Sequence, residues 1–257
     1  MTERLLPAAL GIFLLLLWEA LVRLLEVPPY VLPGPLTILA ALVEDRAILA
    51  TSLVVTLQIA ILALLLAVTL GGALAILFAQ SRIAERALFP YAVVLQVTPI
   101  VAIAPLLLIW TNNVTVALLI CAWIVAFFPI LSNTVVGLNS VDRNLLDMFR
   151  LYGATRWQAL WLLRLPAALP YFLAGLRVAG GLSLIGAVVA EFVAGAGGTS
   201  SGLAFRILEA GYQLKVPRMF AALALISACG IAIFALLGAL QHLLLRRWHE
   251  AALRPEA

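Results

Sequence analysis

Six stretches of this sequence are long and apolar enough to cross a membrane. They run roughly 5–25, 53–78, 87–110, 114–137, 168–194 and 219–245. A helix needs about 20 apolar residues to pass through the hydrocarbon core. Only 11% of the 257 residues are charged and 65% are hydrophobic, whereas an ordinary soluble domain is roughly 25% charged. A soluble globule would lack polar surface at that ratio, and a disordered chain would leave too much apolar surface in water. Cys121 and Cys229 both lie in apolar runs, so they read as small packing residues and not as a disulfide or metal pair. The expectation is an all-α integral membrane protein with six transmembrane helices in one domain, 1–257. The first stretch ends in Glu26-Val27-Pro28-Pro29, which is no small-x-small cleavage site, so it is expected to be a retained helix.

The cations orient the spans. Arg4, Arg82, Arg86, Arg143, Arg150, Arg156, Arg164, Arg246, Arg247 and Arg254 fall on one side, and Arg46, Arg206, Lys215 and Arg218 on the other. The positive-inside rule puts the richer side, with both termini, in the cytoplasm. It also accounts for the net charge of +4 without nucleic acid, because no basic stripe with interleaved aromatics is present. Two outer connectors have pattern of their own. One holds Pro28, Pro29, Pro33 and Pro35 and then an amphipathic stretch, Leu36–Val43. The other holds Gly195, Gly197, Gly198 and Gly202 and then a helix-compatible segment, Leu203–Ala210.

The long cytoplasmic loop, 138–167, carries the most information. Leu145, Leu146, Met148, Phe149 and Tyr152 recur at helical spacing, with Arg143, Asp147 and Arg150 between them. Gly153 permits a left-handed turn. Thr155 with Gln158 three residues later is a capping-box pattern that starts a second helix, and Pro166 and Pro170 flank the beginning of the fifth span. The residues alone leave two readings open: an interfacial helix on the lipid headgroups, or a docking helix for a cytoplasmic partner.

The segment D-M-F-x3-G-x9-L-x-L-P, Asp147 through Pro166, resembles the E-A-A-x3-G-x9-I-x-L-P signature of permease subunits of binding-protein-dependent ABC importers. Gly153, Leu165 and Pro166 match. Asp147 stands for Glu, Leu163 for Ile, and Met148 and Phe149 for the two alanines. Trp18-Glu19, Leu32-Pro33-Gly34-Pro35, Thr98-Pro99-Ile100, Ala104-Pro105-Leu106, Phe128-Pro129-Ile130 and Ala190-Glu191-Phe192 resemble the sulfonate/taurine/nitrate branch. The stretch from Gly202 to Trp248-His249-Glu250 is similar to members proposed to carry thiamine precursors or riboflavin. The resemblance implies a type I importer permease fold with a coupling helix between spans four and five. It implies cytoplasmic ABC ATPase subunits, a periplasmic or lipid-anchored solute-binding protein, and a second permease copy, most simply as a homodimer in the bacterial inner membrane. Asp147, Met148, Phe149, Arg150, Gly153, Arg156, Leu165 and Pro166 would then couple to the ATPase.

Polar residues within the spans are costly and mark candidate function. Gln96, Thr98 and Pro99 interrupt the third span, with Pro105 following, so a proline kink is expected there and these residues are candidates for the solute path. Gln58 and the run Ser132, Asn133 and Thr134 are weaker candidates, and Asn112-Asn113 reads as the outer turn between spans three and four. In span five, Glu191 could reach headgroups or serve the path, and Arg177 could snorkel towards the cytoplasm. They lie about 40° apart around the helix and about 21 Å apart along it. Gly175, Ala179, Ser183 and Ala187 form a small-residue row that ends at Glu191. It suits either packing within the subunit or a path-lining or dimer-facing role, the path including Ser183 and Glu191. His242 and His249, near Arg246, Arg247 and Trp248, read as headgroup anchors and not as metal ligands.

No Walker loop or His-Glu-x-x-His pattern occurs, so no catalytic residue, metal or cofactor is expected and ATP hydrolysis is left to a partner. An ion-gradient-driven secondary transporter is the alternative. Inverted repeats and several intramembrane carboxylates would favour it. Sparse fixed charge in the spans points weakly to a neutral or zwitterionic solute, such as a small ring compound, with sulfonates, taurine and nitrate left open.

Overall fold

The structure is a computed structural model that describes residues 2–195 and 201–246, with side chains of all of these except 2–5, 7 and 8. Gly197, Gly198 and the tail residues Arg247, Trp248, His249, Glu250 and Arg254 lie outside the described residues. The described residues form helices and connectors. In chain order these are α1 (Thr2–Leu24), α2 (Pro35–Glu44), α3 (Arg46–Gln80), α4 (Arg82–Val97), α5 (Ile100–Thr111), α6 (Val114–Asn139), α7 (Arg143–Leu151), α8 (Arg156–Ala194), α9 (Leu203–Tyr212) and α10 (Val216–Leu245).

Four of these, α3, α6, α8 and α10, are long and apolar enough to cross a membrane. They cover the expected second, fourth, fifth and sixth spans. The expected third span is not one helix. It is the pair α4 and α5, bent by 100° at the break. A simple kink was expected; the break is sharper because Thr98 and Pro99 both leave the helical region. Thr98 ends α4 at φ −72° and ψ 124°, as the residue before a proline prefers, and Pro99 begins α5 without an amide to donate. Counting that pair as one span gives five. Over the first expected span, α1 is helical, and Ile12, Phe13, Leu14, Leu15 and Leu16 are each more than half exposed.

Two of the long helices contain a widened π turn, at Ala67–Gly71 in α3 and Leu160–Arg164 in α8. Pro166 cannot donate to the carbonyl four residues back, and in a regular helix its ring would press on that carbonyl. The wider turn directly ahead of it relieves both problems.

The chain divides into two compact units: Met1–Thr56 with Gly195–Ala228, and Leu57–Ala194 with Cys229–Ala257. In the first unit, Leu49, Leu203, Ala221 and Ala222 form a small core with Ile38, Leu42 and Leu53 against it. Polar ties surround that core. Thr56 Oγ1 accepts from the Leu203 amide at 2.9 Å, and Arg206 Nε donates to Ser52 Oγ at 2.9 Å. Arg218 makes a two-pronged ion pair with Asp45. The Leu-Pro-Gly-Pro turn is fixed by Glu19: its Oε2 accepts from the Leu36 amide at 3.1 Å, capping α2, while Oε1 takes Arg23 Nε at 2.7 Å. A Cβ at Gly34 would stand 2.6 Å from Glu19 Oε2, which explains a glycine there.

In the second unit, α6 and α8 pack closely and antiparallel. A Cβ at Gly137 would lie 2.8 Å from Ala168 Cα, one at Gly175 2.7 Å from the Pro129 carbonyl oxygen, and one at Gly186 2.9 Å from Ala122 Cα. These pairs run in opposite chain directions, and each contact is backbone-close, as small residues allow. Phe127, Ile130, Leu131, Leu138, Leu160 and Leu173 fill the core beside them. Phe89 of α4 joins it edge-on to Phe78, with centroids 6.4 Å apart.

Candidate functional site

The loop from Asn139 to α8 folds as a series of capped turns. Asp142 opens α7, its carboxylate accepting from the Asn144 amide at 2.8 Å. The pattern reading had not singled out this cap, although Asp before an amphipathic run is its usual signal. At the other end, Gly153 adopts φ +76°. The Ala154 amide donates to the Phe149 carbonyl at 2.9 Å and the Gly153 amide to the Arg150 carbonyl at 3.0 Å. That pair of bonds is a Schellman motif, which satisfies the last carbonyls of α7 and turns the chain sharply. Thr155 and Gln158 then form the reciprocal capping box: Gln158 donates its amide to Thr155 Oγ1 at 3.2 Å, and Gln158 Oε1 accepts from the Thr155 amide at 2.7 Å.

What this frame holds up is mostly uncovered. No residue of α7 is buried. Met148 is exposed, and Leu151, Tyr152, Trp157, Trp161 and Leu162 are each more than 60% exposed. Asp147 and Arg150 pair at 2.9 Å in the open, an ion pair of little energetic weight there. Arg156 is exposed, while Leu165 and Pro166 are half-buried at the start of the long apolar part of α8. Arg164, which sequence reasoning treated only as an orienting charge, donates from Nη1 to the Ala79 carbonyl at 2.9 Å. It ties the root of the loop to the end of α3, a partner 85 positions away that no local pattern signals.

The other candidates are dispersed. Gln96 is exposed near the end of α4, and Thr98 folds back to give its hydroxyl to the Val94 carbonyl at 2.5 Å. Ser183 is 1% exposed and donates to the Gly180 carbonyl at 3.0 Å, and Glu191 is 3% exposed. The whole row Gly175, Ala179, Ser183, Ala187 and Glu191 is buried. Arg177 is half-buried, its guanidinium 3.8 Å from the ring centroid of Phe234 in α10. The residues Asn112 and Asn113 form a turn between α5 and α6, as read: Asn112 takes φ +50° and Asn113 caps α6 by accepting from the Val116 amide at 3.2 Å. Both cysteines are free thiols. No cluster of metal-ligating side chains occurs among the described residues.

The loop presents an apolar and aromatic surface, mounted on a helix continuous with a membrane-length segment. Comparison with known proteins agrees in kind. The chain is 33% identical to the formylaminopyrimidine transport permease protein ThiX of Halalkalibacterium halodurans, over 93% of this chain and 94% of that one. It is 36% identical to the riboflavin transport system permease protein RibX of Chloroflexus aurantiacus, over 94% and 89%. Permeases named for aliphatic sulfonates, taurine and nitrate are also similar. In fold it matches a crystal structure of an amino acid ABC transporter with histidines at a TM-score of 0.65 and 20% identity, covering 81% of this chain and 97% of that one. The binding-protein-dependent transport system inner membrane component family matches residues 67–250, and the chain belongs to that family of ABC importer permeases, as the loop signature indicates.

Proposed function

We propose that this chain is the transmembrane subunit of an ATP-driven importer for a small organic solute. In this reading it is a single permease domain of six spans, with α1 as the first and the α4–α5 pair as the third, and both termini face the cytoplasm. Two copies enclose the solute path, and α7 seats on a separate ATPase. The observation that carries the coupling role is the uncovered face of α7, fixed at one end by Asp142 and at the other by Gly153. A short helix with no buried residue gains little from its own chain; it suits a partner that covers it. Asp147, Met148, Phe149, Arg150 and Arg156 provide the contact, and Gly153, Leu165 and Pro166 transmit its displacement into α8. ATPase closure would move α7 and tip the spans between inward- and outward-facing states.

The path runs by the α4–α5 break, where Gln96, Thr98 and Pro99 supply polar groups, and by Ser183 and Glu191 of α8. Relatives named for formylaminopyrimidine and riboflavin support a small ring compound, and those named for taurine and nitrate keep small anions in view.

The test is reconstitution in liposomes with a binding protein, with and without the ATPase subunit. Uptake is expected only with ATPase and ATP. Uptake driven by a proton or sodium gradient without ATPase would overturn the reading.

A further inference from the structure

Between the end of α3 and the α7–α8 loop lies a cleft of about 640 Å³. Arg82, Arg150, Arg156 and Arg164 all line it, and no carboxylate does among the described residues. Asp147, which is not among the lining residues, holds one nitrogen of Arg150. Arg164 spends one nitrogen on the Ala79 carbonyl, and the positive charge of Arg150 opposes its own. The first turn of α4 brings Ser81, Arg82 and Ile83 to the same cleft, so the positive end of a 16-residue helix adds to the field.

Four arginines line this one concavity, and like charges so placed oppose one another, which an anion in the same space would relieve. Positive-inside topology accounts for arginines on this side of the chain, but it does not require four of them around one cleft. Planar guanidinium forks match a phosphate group in shape and charge, and basic pockets beside membrane helices suit phospholipid headgroups. We propose that this cleft is a binding site for a phosphate group, held by Arg82, Arg150, Arg156 and Arg164. The phosphate belongs either to an inner-leaflet lipid headgroup or to a soluble phosphate compound. Bound there, it bridges the α3 end to the α7–α8 loop and stiffens the base on which α7 is mounted. Arg150 and Arg156 also belong to the proposed ATPase contact, so the test is made on the permease alone.

The probes are pyrophosphate and cardiolipin. Full-length protein is placed in phosphatidylcholine nanodiscs and titrated with pyrophosphate, and in a second arm it is placed in discs with graded cardiolipin. The thermal midpoint is followed in each. The wild-type midpoint is expected to rise in at least one arm. The apparent affinity should fall about ten-fold in the pair Arg82→Ala with Arg156→Ala. It should stay unchanged in Arg143→Ala, which lies on the same loop but outside the cleft. A rise with pyrophosphate identifies a soluble phosphate, and a rise with cardiolipin alone identifies a lipid. Arg164 is spared because it holds Ala79, and the pair Arg82→Gln with Arg156→Gln replaces the alanine pair should that fail to fold. No rise in either arm, an equal rise in the paired variant, or a rise only when an ATPase subunit is added would each overturn the proposal.

Discussion

Helices in the first unit meet through a few polar side chains, whereas those in the second meet through backbone. Thr56, Ser52, Asp45 and Glu19 each reach across to a partner at a distant position. In α6 and α8 the work is done by absence of side chain, with Gly137, Gly175 and Gly186 letting carbonyls and Cα atoms touch. Neither pattern is arbitrary. In the first unit Thr56 and Glu19 serve amides at the starts of α9 and α2, which have no partner within their own helices. The second is made of long helix bodies whose amides are already paired, so close packing is the main remaining source of attraction.

That contrast sets a scale of sensitivity. Gly175→Val should do most damage, because the added carbons meet the Pro129 carbonyl and Asn133 Cβ and neither can swing aside. About 3 kcal/mol or more of stability should be lost, read as a large drop in thermal midpoint in detergent. A near-normal midpoint would break the close-packing account. Gly153→Val comes next and differs in kind. Nothing lies within 4 Å of a Cβ there, so the cost is a left-handed φ, about 1–2 kcal/mol. The protein should insert in normal amount yet lose transport while ATP hydrolysis continues; retained transport would remove Gly153 from the coupling path.

In the first unit, Gly34→Ala should cost about 1 kcal/mol. The carboxylate of Glu19 can move away, but only by giving up the Leu36 amide. The loss should shrink in a Glu19→Ala background, and a double-mutant cycle with full additivity would contradict the contact. Ser52→Ala should be the mildest, at most about 1 kcal/mol, because Arg206 keeps its ion pair with Glu209 at 2.8 Å. A larger loss than that of Gly34→Ala would reverse the ordering within the unit.

Features legible in the sequence were local or periodic. Apolar runs located the four long helices, and the Thr155–Gln158 spacing and Gly153 located the turns of the loop. Asn112-Asn113 located the turn before α6. What was not legible depended on distance along the chain or on degree. Proline at 99 announces a disturbance, but its 100° size depends on Thr98 leaving the helix as well. Glu19 as a cap for α2 joins residues 17 apart, and Arg164 to Ala79 joins residues 85 apart. The small row in α8 was open to more than one use, and its burial within one chain was not legible from spacing alone. Arg177 could be read only as able to snorkel; its contact with Phe234, a ring 57 positions later, was not legible.

The π turn at Leu160–Arg164 has a consequence for how this loop tolerates change in length. From Gln158 to Pro166 the chain is helical without a break, so every residue between them acts as a fixed increment of rotation. Deleting one residue from the π turn would restore ordinary winding with little change of direction, whereas deleting one from the regular turn at Arg156–Ala159 would swing α7 by about 100° around the axis of α8. The count of residues between Gly153 and Leu160 therefore sets the direction in which α7 points, and a single-residue indel there would misdirect the surface without unfolding it.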